Sequence, residues 1–128
     1  MIRTTSAAVR TIWRGAYPGC TLHTMDRDYF LPSADFALAQ LRDVTAKEMP
    51  FQPETHDCDD YAIILLGRIR ERQYTEQWAG PMAAGLSKGR LHDGREHVSV
   101  FAATALGVVW LDCIGHDMTD FRPDWAVM

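Results

Sequence analysis

The sequence predicts an α+β domain in which N-terminal helices pack on a small antiparallel sheet. Apolar residues recur at helical spacing between Ser33 and Gln73. Short β-rich segments then follow between His97 and Asp112, joined by a connection that contains Gly107. Helical patterns that come before strand patterns are typical of the α+β class. With 128 residues, we expect one domain over 1–128 that is long enough to bury a hydrophobic core.

The first clear helix is expected to begin near Ser33, which follows Pro32 and can act as the N-cap. Its core-facing stripe consists of Ala37, Leu38, Leu41 and Val44. The segment 49–53 contains two prolines and ends the helix. Residues 1–30 give no clear element, but four of their aromatic side chains are expected in the core: Trp13, Tyr17, Tyr29 and Phe30.

A second helix is predicted from Cys58 to Gln73, with Asp57 as its N-cap. Cys58, Asp59 and Asp60 then occupy the first turn, where negative charge complements the helix dipole. This helix bears Cys58 at its start and is therefore the element that carries the candidate chemistry.

Strands are predicted after the helices. Segment 79–86 is apolar and is expected to be a strand, and segment 88–96 is polar and is expected to be a loop. Segments 97–104 and 108–112 read as a hairpin because they are β-rich and flank Gly107. The tail, with Pro123 and Trp125, is expected to be irregular or a short final element.

Composition excludes several classes of protein. The net charge of -4 argues against direct nucleic-acid binding. No stretch approaches the ~20 apolar residues of a membrane span, and the first residues lack the apolar region of a signal peptide. The chain has three cysteines, and their spacing does not match a disulfide framework. This indicates free thiols in a reducing compartment, so a cytoplasmic location is predicted. The oligomeric state is left open.

Cys58, His97 and Asp112 are candidates for one nucleophilic site. A cysteine nucleophile works as its thiolate, which the first turn of a helix stabilises. Such a thiol needs a base, here His97, and the base needs an orienting group, here Asp112. The alternatives are a small buried cysteine and a structural histidine, which are the commoner roles of each residue alone.

Strand register decides whether His97 and Asp112 meet. If Thr104 pairs with Gly107 in a two-residue hairpin, Ser99 lies opposite Asp112 and His97 is its diagonal neighbour on the same face. A four-residue loop would place His97 directly opposite Asp112. Both registers keep the pair on one face, and only a one-residue slip separates them.

Acidic residues surround the candidate thiol. Asp57, Asp59 and Asp60 would disfavour the thiolate. A protonated His97, or a divalent cation such as Ca²⁺ held by Asp59 and Asp60, could offset this charge. The alternative is that these aspartates serve N-capping and solvation alone.

Other polar residues near the thiol have weaker claims. Gln52 lies six residues before Cys58 and is a candidate oxyanion-hole amide, although an exposed loop glutamine is the simpler alternative. His56 is a rival base. Cys113 follows Asp112, so strand alternation sends it to the opposite face.

The segment Asp57-Cys58-Asp59-Asp60-Tyr61-Ala62 resembles a motif of the papain-like C-terminal peptidase domain of a mushroom agglutinin and its bacterial and phage relatives. Bacterial transglutaminase-like cysteine proteinases show a similar order of Cys, His and Asp. The resemblance spans roughly 28–115 and implies a papain/transglutaminase-like fold. It also implies a nucleophilic Cys58, a base His97, and a metal site at Asp59 and Asp60. Further segments carry the likeness: 29–33, 84–86, 96–98 and 109–112.

The expected function is therefore a small papain-like thiol hydrolase, a peptidase or amidase with a Cys-His-Asp triad acting on a protein or peptide. Dependence on Ca²⁺ or another divalent cation is a secondary expectation. The alternative is a catalytically silent phage or mobile-element protein that binds and inhibits a host defence protein in the host cytoplasm. A structural subunit, such as a virion component, is a third possibility.

Overall fold

A computed structural model describes residues 2–45, 58–112 and 117–128. The described residues form an α+β fold with a mostly antiparallel five-stranded sheet and a separate two-stranded sheet. The strand orders are β2-β7-β4-β5-β6 and β1-β3. The elements in chain order are β1 Ile2–Thr5, α1 Ser6–Ala16, β2 Leu22–His23, β3 Asp28–Leu31, α2 Ala34–Thr45, α3 Cys58–Thr75, β4 Ala84–Arg90, β5 Glu96–Thr104, β6 Gly107–Leu111 and β7 Arg122–Val127.

Helix α1 covers one face of the larger sheet. Its N-cap is Thr5, whose hydroxyl accepts a hydrogen bond from the Ala8 N–H. Trp13 is buried against Phe101 of β5, with ring centroids 4.6 Å apart, and its indole N–H donates to the Cys20 carbonyl. We call this side of the sheet, which carries Phe101, Ala103 and Trp110, the α1 face.

Helices α2 and α3 lie on the opposite side, the α3 face, which carries Val100, Ala102 and Leu111. Ser33 caps α2 as predicted, because its hydroxyl accepts from the Phe36 N–H at 3.0 Å. Helix α3 begins at Cys58 as predicted and continues two residues beyond the predicted Gln73. At its far end the Arg70 guanidinium donates to the carbonyls of Met82 and Ala84, which fixes α3 against the start of β4.

The β5–β6 hairpin has the two-residue register. Thr104 pairs with Gly107, and Val100 pairs with Leu111. Gly107 has φ +127°, a conformation that favours glycine. In the described ranges, no helix has the length and apolar content that crossing a membrane requires.

The structure corrects one expectation about the elements and assigns two segments for which the sequence left the structure open. Residues 2–31 form β1, α1, β2 and β3, whose pairings join distant segments and leave little local periodicity. Residues 88–90 belong to β4 rather than a loop, because their backbone pairs with both β5 and β7. Of the two alternatives expected for the tail, the structure has the short final element, which is strand β7 and lies between β2 and β4.

Candidate functional site

Cys58 is the first residue of α3 and lies where this helix meets the end of β6. Its side chain is half-buried. The unpaired N–H groups and the dipole of a helix N-terminus favour negative charge at this position. One surface depression is formed here by residues of α3, β5 and the end of β6: Cys58, Tyr61, Ala62, Val98, Ser99, Val100, Leu111 and Asp112.

The register of β5 and β6 places His97 beside Asp112. The His97 Nε2 and the Asp112 Oδ1 are 2.7 Å apart. Both side chains are buried, with 2% of the His97 side chain and 8% of the Asp112 side chain exposed. In this contact the Nε2–H of His97 donates a hydrogen bond and the carboxylate oxygen of Asp112 accepts it.

Ser99 completes this buried network. Its hydroxyl donates to the same Asp112 Oδ1 at 3.1 Å, as expected for the residue directly across from Asp112. The imidazole of His97 also meets the ring of Phe121 edge-to-face, with centroids 6.4 Å apart. The network thus fixes the orientation of the imidazole by a charged hydrogen bond on one side and an aromatic ring on another.

The acidic residues of the first turn of α3 differ in exposure. Asp59 is exposed, and Asp60 is half-buried. Among residues 2–45, 58–112 and 117–128, no three His, Cys, Asp or Glu side chains form a group that could hold a metal ion. The Ca²⁺ site at Asp59 and Asp60 therefore stays a prediction. The cytoplasmic location is likewise a prediction that the structure does not test.

The structure brings together Cys58 and Asp112 in one depression and joins His97 to Asp112. Gln52 lies outside the described residues, as do the rival base His56 and the neighbouring Cys113. The sequence analysis placed Ser99 opposite Asp112 in one register but gave it no role. Its hydrogen bond follows from that register, which was the available signal.

Comparison with known proteins gives a likeness in fold. No family profile matches the chain, and no curated protein matches it in sequence. Two solved structures of a Polyporus squamosus lectin match 99% of the chain at 16% identity. One is described as a PSL1a–E64 complex, with TM-score 0.78. The other is the lectin bound to the human-type influenza-binding epitope Neu5Acα2-6Galβ1-4GlcNAc, with TM-score 0.81.

The chain spans about half the length of these lectin chains, 51% and 50%. At 16% identity, this structural likeness shows a shared fold alone.

These findings correct several sequence-based expectations. The neighbours are described as a lectin, and neither description names a peptidase. The assignment to the papain-like peptidase group was therefore wrong, as were the thiol-hydrolase function and the protein or peptide partners, including a host target. The physical reason is that a Cys, His and Asp arrangement follows from the positions of α3, β5 and β6, and one such arrangement of elements supports unrelated functions.

Proposed function

We propose that this chain is a carbohydrate-binding domain whose ligand contacts the depression at Cys58 and Asp112. One observation carries the proposal: almost the whole chain matches half of a lectin whose structure was solved with a bound glycan. The coarse α+β architecture is common to many functions. The ligand is therefore inferred from the chemical character of this depression as well as from the neighbour.

The residues that line the depression include both polar and apolar ones. The polar ones include Ser99 and Asp112, whose hydrogen bonds to each other and to His97 hold them in place. The apolar ones include Val98 and Tyr61. Ligand sites in proteins typically join such apolar walls to a few fixed polar groups that set orientation. A sugar presents hydroxyl groups to the polar part and C–H surface to the apolar part.

Isothermal titration calorimetry with Neu5Acα2-6Galβ1-4GlcNAc tests the proposal. We expect saturable binding with Kd below about 1 mM, which corresponds to about -4 kcal/mol. Ser99→Ala is expected to weaken binding about fivefold, because it removes a hydrogen bond that positions Asp112. Thr11→Ala, on the exposed side of α1, is the control and is expected to bind normally. Absence of saturable binding by the folded, unaltered chain would show that the proposal is wrong.

The second ligand named with the lectin, E64, offers a probe of Cys58 itself. We expect iodoacetamide at pH 7 to modify Cys58 at least about tenfold faster than Cys20, as read by peptide mass mapping. Cys58 is half-buried at a surface depression, whereas Cys20 is buried and burial raises the pKa of its thiol. Prior addition of E64 should slow modification of Cys58 and leave Cys20 unchanged. Equal rates for the two thiols, without E64, would contradict an accessible Cys58 site.

A further inference from the structure

Arg70 is a half-buried cation near the end of α3. In the part of the chain that the structure describes, no Asp or Glu side chain forms an ion pair with it. Burial lowers the pKa of this guanidinium, and Tyr29 and Asp26 oppose that effect electrostatically. An arginine stays protonated in proteins, so the molecule carries a partly desolvated positive charge here. Such a charge is costly unless an opposite charge reaches it.

Neutral acceptors already bind three of the five N–H groups that an arginine side chain offers. Nη1 of Arg70 donates to the Gln73 Oε1 at 2.7 Å and to the Met82 carbonyl at 3.0 Å. Nη2 donates to the Ala84 carbonyl at 2.7 Å. Gln73 is itself fixed, because its Oε1 also accepts from the Met82 N–H at 2.8 Å. These contacts orient the guanidinium without neutralising its charge.

The side edge of the guanidinium, formed by Nε and Nη2, is left open. The Nε–H and the second N–H of Nη2 donate to no residue of the described ranges. In those ranges the side-chain atom that is fully buried without a partner is the Gln40 Oε1, so the Nε of Arg70 reaches solvent. An edge with two adjacent donors matches two oxygens of one oxyanion.

We propose that the Nε–Nη2 edge of Arg70 is a binding site for a small oxyanion, with inorganic phosphate as the simplest ligand that fits. The anion would accept two parallel, charge-assisted hydrogen bonds from a cation that the fold has already oriented. Arg70 lies twelve residues after Cys58 on α3, about 18 Å along the helix axis. The site is therefore separate from the proposed carbohydrate binding.

Asp26 is the rival occupant of this edge. Its side chain is exposed, and its charge acts on Arg70 from beyond ion-pair distance. A rotation of the Asp26 side chain that closed this distance would fill the edge from within the chain. Asp26→Asn removes that carboxylate, so its effect on phosphate binding separates the two occupants.

NMR of the arginine Nε–H groups measures occupancy of the edge directly. Phosphate and chloride are titrated separately into the unaltered chain at one ionic strength. We expect phosphate to shift the Arg70 signal saturably, with Kd on the order of 1 mM, and chloride to leave it unchanged. Arg72 and Arg95 are internal controls, because their Nε–H groups already donate to carboxylates. The acceptors are Glu76 and Asp93, both at 2.6 Å.

Gln73→Glu changes the charge beside Arg70 while keeping the acceptor. The new carboxylate would accept from Nη1 and from the Met82 N–H as the amide oxygen does, so the fold should persist. It would also neutralise the guanidinium and repel an anion, so we expect phosphate affinity to fall at least about tenfold. Tyr74→Glu is the matched control, since it adds the same charge on a side chain that is 86% exposed. Its affinity should change less than about twofold.

The outcomes decide between a specific site and its rivals. A saturable shift of the Arg70 signal with phosphate, lost in Gln73→Glu and kept in Tyr74→Glu, supports the site. Equal shifts of all three arginine signals, or an equal response to chloride, show a general salt effect and overturn it. Phosphate binding that appears only in Asp26→Asn shows that Asp26 fills the edge, which also overturns it. An Arg70 signal that phosphate leaves unchanged in every form of the chain overturns it as well.

Discussion

Substitution of Gly85 by alanine is expected to destabilise the protein by about 3 kcal/mol or more. An ideal Cβ at this position would lie 2.1 Å from the carbonyl oxygen of Val127 and 2.9 Å from the Cα of Met128. These are backbone atoms of the C-terminal strand, so no side-chain rotation relieves the overlap. The strand β7 would have to move away from β4, at the cost of their hydrogen bonds.

Gly89→Ala should behave in the same way, because its Cβ would lie 2.1 Å from the carbonyl oxygen of Arg122. The two glycines flank the stretch of β4 that pairs with Trp125 and its neighbours. Loss of the close approach would therefore displace β7 as well as lower stability.

Urea unfolding followed by circular dichroism measures the effect of the glycine substitutions. Gly67→Ala is the matched control: its Cβ meets no atom within 4 Å, and Gly67 is an exposed residue of α3. Alanine there should stabilise the protein by up to about 1 kcal/mol because it is the better helix former. A loss of less than about 1 kcal/mol for Gly85→Ala would contradict the close approach of β4 and β7.

Removal of the Asp112 carboxylate by substitution with alanine is expected to cost about 3–5 kcal/mol of folding free energy. The reason is that the His97 imidazole and the Ser99 hydroxyl, both buried, lose an acceptor that they share. Asp112→Asn keeps one oxygen as an acceptor and should cost less. Asp93→Ala is the surface control, with an expected loss below about 1 kcal/mol, since its pair with Arg95 is exposed.

A double-mutant cycle tests whether His97 and Asp112 act as a unit. The loss for His97→Ala combined with Asp112→Ala should be smaller than the sum of the two single losses by at least about 1 kcal/mol. Once either partner is removed, the interaction between the two is already lost, so the second substitution cannot remove it again. If the loss of the double mutant equals the sum of the two single losses to within about 0.5 kcal/mol, the 2.7 Å contact contributes nothing specific to stability.

The sequence predicted those parts of the fold that local patterns determine. Helix α3 begins at Cys58, where acidic residues in the first turn and apolar periodicity both favour a helix. The β5–β6 hairpin followed from β-rich segments around Gly107, and of the two registers considered the structure has the two-residue one. For the tail a short final element was one of two alternatives, but its pairing as strand β7 was not predicted, because Pro123 interrupts its pattern and its partner β4 lies more than 30 residues earlier.

One contact within the candidate site was predicted, whereas the roles of its residues stay predictions. Alternation along β5 and β6 was enough to place His97 and Asp112 on one face, and the structure joins them directly. The pairing of Lys88 with Trp125 was missed because Lys88 was assigned to a loop and the tail was not assigned to a strand. The ligand could not be read from Cys58, His97 and Asp112, because an arrangement of polar groups fixes a geometry that several chemistries can use.

Residue-level mapping of glycan binding tests the central claim most directly. Backbone ¹H–¹⁵N spectra would be recorded while Neu5Acα2-6Galβ1-4GlcNAc is added to the unaltered chain. We predict that the largest shifts fall on the residues that line the depression, Val98, Ser99 and Asp112 among them. Spectra that do not change, or changes confined to the exposed side of α1, would contradict carbohydrate binding at this site.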